Sequence, residues 1–383
     1  MNRALLLTVA VLIGPPMTVG AQTFGAHGQV SSWFVINDQR PTTPAAGLRY
    51  VPSLTLEKQL TTERTLDGEL SLNGYTSAQA PDWQDLDATS GLKPYRVWAR
   101  FKTPRFEARV GLQKINFGSA TLLRPLMWFD SVDPRDPLQI TDGVYGVLLR
   151  QYLPNNITIW EWGLYGNDRR KGWEIDPTAE KRPELGGRVE VPVSTGRLAF
   201  TTHHRRADFG ERPTADGDLE RGVTQEGRYA LDGKWDAGIG LWFEAVVTDQ
   251  TRADIDRPDQ RALNVGADYT FPVGEGLHVL GEYFVLEQSR GVFGAGEGAT
   301  LGAVSMRYPI GLLDSLSAIV YLDATRDDTY RFITWQRSYD RWQFYVMGFW
   351  NPQQSAIYQG QVTDAGQSYF TGRGVQIMAV FNH

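Results

Sequence analysis

Over residues 105–113 apolar and polar side chains take turns without a break. Phe106, Ala108, Val110 and Leu112 fall on one side, and Arg105, Glu107, Arg109 and Gln113 on the other. A period of two is the mark of a strand with one oily and one wet face. The alternation recurs at 49–57, where Leu54 and Leu56 point outward, at 66–73, 95–102, 144–152 and 157–165, and most cleanly at 262–271. Eighteen such segments can be drawn, or sixteen if one hairpin is miscounted. The connections sort by parity. Those after even-numbered strands are short, as at 61–64, 103–104, Ser194-Thr195-Gly196 and Asp232-Gly233-Lys234, whereas most after odd-numbered strands, such as 74–92, are longer and polar. A transmembrane antiparallel up-and-down β-barrel with both termini at one end sorts its loops this way, and a two-sheet sandwich has no reason to. The expected fold is all-β, one barrel over residues 22–383.

Between the fifth and sixth strands the alternation stops. Residues 116–142 hold Arg124, Asp130, Asp133, Arg135 and Asp136 among Leu, Trp, Phe and Pro, with no period of their own. Long loops of this kind are uncommon in compact domains and tend to be functional. This one is expected to fold into the lumen as a constriction.

The N-terminus sets the compartment. Arg3, the short apolar run 4–13 and the small residues Val19-Gly20-Ala21 read as a secretory leader over residues 1–21, too short in its apolar part to span a bilayer. No later stretch is apolar enough for a membrane helix, which leaves strands to cross. Together these point to the outer membrane of a Gram-negative bacterium, with the lipid bilayer, lipopolysaccharide and the outer-membrane assembly machinery as partners. The chain has no Cys, hence no disulfide framework, and its 40 Gly and 12 Trp suit many turns and interfacial anchors. A net charge of −6 argues against a nucleic-acid partner. No cofactor or metal motif is present, and five His without a nucleophile motif argue against an enzyme.

The candidate chemistry therefore belongs to a pore. On the fourth and fifth strands the inward set is Arg96, Trp98, Arg100, Lys102, Arg105, Glu107 and Arg109, a basic stripe that would concentrate small anions. Asp130, Asp133 and Asp136, carried inward by the loop, would face it and create a transverse field. The same arginines could instead neutralise neighbouring carboxylates and hold the wall rigid, and both readings stay open here. The run from Asp130 to Asp136 is dense enough in acid to suggest calcium, but it lacks the alternate ligand spacing and closing Glu of an EF-hand. His203 and His204 are adjacent in a strand, so they face opposite sides and cannot share a metal. Trp160, Trp162, Trp242 and Trp335 could line a sugar track, but a lipid-facing girdle is the favoured assignment.

Val110-Gly-Leu-Gln-Lys-Ile-Asn-Phe-Gly118 followed by Leu123-Arg-Pro-Leu-Met-Trp-Phe-Asp130 resembles the strand-plus-loop segment of alginate-export-like outer-membrane porins. The resemblance covers about forty residues. It implies an eighteen-stranded barrel with an electropositive pore for small anionic solutes or an acidic oligosaccharide. Two departures stand out: Leu112 occupies the place of an Arg in a Gly-Arg-Gln triplet, and the chain ends Phe381-Asn-His383 rather than on an aromatic residue.

Overall fold

The computed structural model describes residues 17–18, 22–38, 43–80, 86–213, 219–251, 259–291, 293–353 and 369–383. Eighteen antiparallel strands close on themselves. The first six are β1 (Gln22–Asn37), β2 (Ala45–Thr61), β3 (Arg64–Gln79), β4 (Asp87–Lys102), β5 (Phe106–Gln113) and β6 (Val144–Tyr152). Then come β7 (Thr158–Tyr165), β8 (Pro183–Val193), β9 (Gly196–Pro213), β10 (Leu219–Asp236), β11 (Gly240–Gln250) and β12 (Asp259–Phe271). The last six are β13 (Leu277–Ser289), β14 (Gly296–Ile310), β15 (Asp314–Asp323), β16 (Asp328–Ser338), β17 (Trp342–Trp350) and β18 (Arg373–Asn382). Every strand pairs with its sequence neighbours, and β18 returns to β1 from Gly374 opposite Asn37 to Asn382 opposite Gln29. Closure leaves no unpaired edge. Among the described residues there is no helix.

Met17–Thr18 form a two-residue bridge to Thr23 and Phe24; the rest of the expected leader, 1–21, lies outside the described residues. The connections after all even-numbered strands are short, as the alternation predicts. Outward positions are apolar and exposed, among them Leu54, Leu70, Val110, Leu185, Leu263 and Ile377.

Two local readings need correction. Residues 74–92, expected as a loop, are mostly strand, since β3 runs to Gln79 and β4 starts at Asp87. The cause is a bulge: Ser71 pairs with Arg96 but Leu72 with Pro94, so Tyr95 is an extra residue and the alternation changes phase there. Asp232-Gly233-Lys234, expected as a turn, is strand, with the turn displaced to 237–239. Trp235 lies across Gly233, where a Cβ would meet the indole ring, so the glycine accommodates an aromatic neighbour rather than a reversal.

Candidate functional site

The inserted segment 114–143 crosses the lumen and is held by the opposite wall. Backbone amides outside a ladder need acceptors, and two wall carboxylates supply them. Glu244 of β11 accepts from the amides of Ser119, Ala120 (2.7 Å) and Leu126 (3.2 Å). Glu282 of β13 accepts from Thr121 (2.6 Å), Leu122 (3.1 Å) and Leu123 (2.6 Å), while Asn264 Nδ2 of β12 donates to the Leu123 carbonyl at 2.8 Å. Beneath this cap the loop's apolar side chains merge with the inner wall. Phe117 stacks on Trp162 at 5.7 Å and meets Trp128 and Phe129 edge-on, both at 5.8 Å.

A second segment, 166–182, also folds inward, which the alternation gave no reason to expect. Trp173 Nε1 donates to the Arg124 carbonyl at 2.9 Å and its ring packs on Phe284 at 4.9 Å. Gly172, at φ 48°, passes so close to the Met127 carbonyl that a Cβ would collide with it. The same segment brings Glu174 to Arg228 (2.8 Å) and Arg205 (3.4 Å), and both arginines also reach Glu226. This far wall is a closed ion network.

The loop charges are not arranged as expected. Asp130 is gripped by both terminal guanidinium nitrogens of Arg124 (2.9 and 3.1 Å), and Arg124 also holds Asn116. Asp133 pairs with Arg135 at 2.7 Å, and Asp136 accepts the amides of Leu138 (2.9 Å) and Ile140 (3.3 Å). Two of the three acids are thus neutralised within their own loop, and the transverse field between loop acids and wall arginines is correspondingly weakened. Burial pushes the Asp136 carboxyl above its ordinary value, with the two amides and Arg49 opposing that shift. The Lys114 ammonium is pushed down by burial, with Asp130 opposing.

On the near wall the stripe is assembled around one carboxylate. Glu107, buried on β5, accepts from Arg109 at 3.1 Å and Arg100 at 3.4 Å, and Arg150 of β6 lies 3.7 Å away. Arg100 is also bidentate on Asp67 of β3, at 2.6 and 2.9 Å. Trp98 donates to Glu69 at 3.2 Å and lies under the Arg109 guanidinium (4.8 Å to the ring centroid), as Trp160 lies under Arg150 (3.8 Å). Arg96 sits higher and donates to the Thr141 carbonyl of the loop at 3.0 Å. Lys102 ends β4, and Arg105 lies in the turn beyond it rather than on β5; both are exposed at the rim. Arg150, Asp67 and Glu69 were not among the expected residues. Their inward parity was readable in the sequence, but which of them meet was not, since Glu107 reaches Arg150 and Arg100 reaches Asp67 through cross-strand register.

Three of the four tryptophans assigned to a girdle face the lumen. Trp162 and Trp242 are buried in the core shared with the loop, and Trp160 carries Arg150. Trp335 shares the outward parity of the exposed Ile333. The loop supplies the reason: its aromatic residues need apolar partners on the inner wall. His203 is buried between Trp162 (3.1 Å) and Glu184 (3.1 Å), and His204 is exposed on the outer face beside Tyr229.

No protein-family model matches the chain, and no curated protein sequence does. Solved structures do. The barrel is similar to Salmonella typhi OmpF in complex with daunomycin, with a TM-score of 0.52 at 12% identity over 96% of this chain and 100% of that one. It is equally similar to outer-membrane-expressed OmpT of Vibrio cholerae, with a TM-score of 0.51 at 12% identity over 96% and 100% of the two chains. At such identities the likeness is one of fold: a closed antiparallel barrel matching outer-membrane porin folds.

Proposed function

We propose that the protein is a passive channel of a Gram-negative outer membrane with a mild preference for small anions. The wall of β4–β6 carries this reading. Arg100, Arg109 and Arg150 surround Glu107, and their side chains keep 24%, 15% and 19% of their exposure while the carboxylate keeps 4%. The cations meet lumen water and the anion does not. With Arg96, Lys102 and Arg105 nearby, cations outnumber Asp67, Glu69 and Glu107 on this side, and a lumen of reduced dielectric magnifies that surplus. The loop core on the opposite side narrows the path; Asp130, Asp133 and Asp136 line the open space beside it, while Arg124 and Arg135 are buried against the first two. The leader 1–21, insertion by the assembly machinery and contact with bilayer and lipopolysaccharide belong to the same reading. Planar-bilayer recordings under a salt gradient test it: an anion-selective reversal potential supports it, and cation preference or no conductance overturns it.

A second reading is a porin or exporter for an acidic oligosaccharide, as the alginate-export-like resemblance suggests. The guanidinium-over-indole pairs Arg109–Trp98 and Arg150–Trp160 favour it, since a uronate offers both a carboxylate and an apolar ring face. Saturable block by an acidic glycan, with none by a neutral one, distinguishes it. A plugged structural or binding barrel is favoured instead by the packing of Phe117 and Trp128 into the inner wall, and it conducts nothing.

A further inference from the structure

A cavity of about 580 Å³ opens between the loop arm 130–142 and the inner wall of β18, β1, β2 and β3. That volume falls in the range of roughly 300–1,000 Å³ typical of small-molecule sites. Its wall side carries Ser31, Arg49 and Tyr75, which are direct cross-strand neighbours, with Trp33 opposite Met378 one step away. Its loop side carries Asp136, Pro137 and Leu138.

Several charges around this cavity are already matched. Asp130 is held by Arg124 and Asp133 by Arg135. Asp142 serves Lys93 at 3.0 Å and Arg169 at 3.6 Å. Asp168, Arg170 and Lys171 stand on the outer rim, where the Lys171 ammonium donates to the Arg169 carbonyl. Inside that rim, Arg49 on β2 and Asp136 on the loop make no ion pair with any described residue. The Arg49 charge opposes the upward push of burial on the Asp136 carboxyl, yet the two do not meet at ion-pair distance. Asp136 has only backbone amides, and the Arg49 Nε has no hydrogen-bond partner. Beside them Trp33 and Leu138 pack on the apolar cluster of Tyr345, Met378 and Val380.

We propose that Arg49 and Asp136 are the two poles of a binding site for a small zwitterion, an apolar amino acid or short peptide. Its carboxylate meets the Arg49 guanidinium, its ammonium meets Asp136, and its side chain lies on Trp33, Leu138 and Met378. A guest with one charge leaves one pole unmatched in a partly desolvated space, where an unpaired charge is costly. The site deepens the channel reading by naming a solute class that pauses before the constriction.

Titration calorimetry on the folded barrel in detergent tests this without requiring an open lumen. Leucine or dileucine is expected to give saturable heat. Isocaproate, which lacks the ammonium, and isoamylamine, which lacks the carboxylate, are expected to bind at least ~10-fold more weakly, equivalent to about 1.4 kcal/mol. Arg49→Gln and Asp136→Asn should each weaken leucine binding by a similar factor. Absence of saturable heat, or equal binding of isocaproate, overturns the proposal even if the channel conducts. Lack of conductance with leucine binding intact overturns the channel reading instead. The ligand comparison uses the unaltered protein, so a variant that fails to fold leaves the test standing.

Discussion

Glu282 on β13 receives the amide of Leu123 at 2.6 Å across 159 positions of sequence, and so ties the inserted loop to the wall facing its origin. Glu244 does the same for Ser119, Ala120 and Leu126. Hydrogen bonds to a charged acceptor contribute about 1.5–3 kcal/mol each, so the pair outweighs any single contact in the loop. Glu282→Gln or Glu244→Gln offers one acceptor oxygen where two were used, and puts amide hydrogens against amide hydrogens. We expect each variant to loosen residues 119–126 while the strands persist. Single-channel current should become larger and noisier, and amide exchange at Leu122 and Leu123 faster. Unchanged noise and exchange would mean that the apolar core alone fixes the loop.

Glu107 is the hub of the near wall, so its removal and the removal of its arginines should have opposite effects. Glu107→Gln keeps the shape and an acceptor but deletes the one carboxylate that Arg100, Arg109 and Arg150 share. Anion preference should rise, read as a reversal potential moved further toward that of the anion. Arg100→Ser with Arg109→Ser should lower it, and leaves Glu107 buried with Arg150 alone. Breaking a buried pair from one side costs about 3–5 kcal/mol, and Arg150 reduces that loss, so a measurable but sub-lethal drop in unfolding stability is expected alongside.

If the arginines set selectivity, they do so through lumen water, and salt limits their reach. The Debye length is about 10 Å at 0.1 M and about 3 Å at 1 M, so selectivity measured across a fixed ratio of salt concentrations should fall as both are raised. Closed ion pairs such as Arg205–Glu226 and Arg188–Asp232 are buried and should be indifferent to the same change. A selectivity independent of salt would place its origin in pore size rather than in the stripe.

The barrel was legible because alternation is a direct imprint of a wall with an apolar outer face and a polar inner one. Where a bulge at Tyr95 shifts that phase, legibility failed for the adjoining strand ends. The inward arginines followed from parity alone. Their partners did not, because Asp67 and Arg150 reach Arg100 and Glu107 through cross-strand register, which a single strand does not encode. The fate of Asp130 and Asp133 was hidden for another reason. An aperiodic loop fixes its ion pairs by local turns, and spacing between charges in such a loop carries little information about which of them meet.

The inward tryptophans give the sharpest contrast between wall faces. Trp162 is buried, stacks on Phe117 and donates to His203. Large-to-small substitution at such a site costs about 3–5 kcal/mol, and here it also strips His203 of a partner. Trp335 occupies an outward position beside exposed Ile333, where truncation opens no cavity in a protein core. We expect Trp162→Ala to lower the urea midpoint of unfolding strongly and to increase conductance, because the loop loses the surface on which Phe117 rests. Trp335→Ala should shift the midpoint far less and leave conductance unchanged. Equal shifts in the two variants would mean that Trp162 does not hold the loop, and the constriction would then need another support.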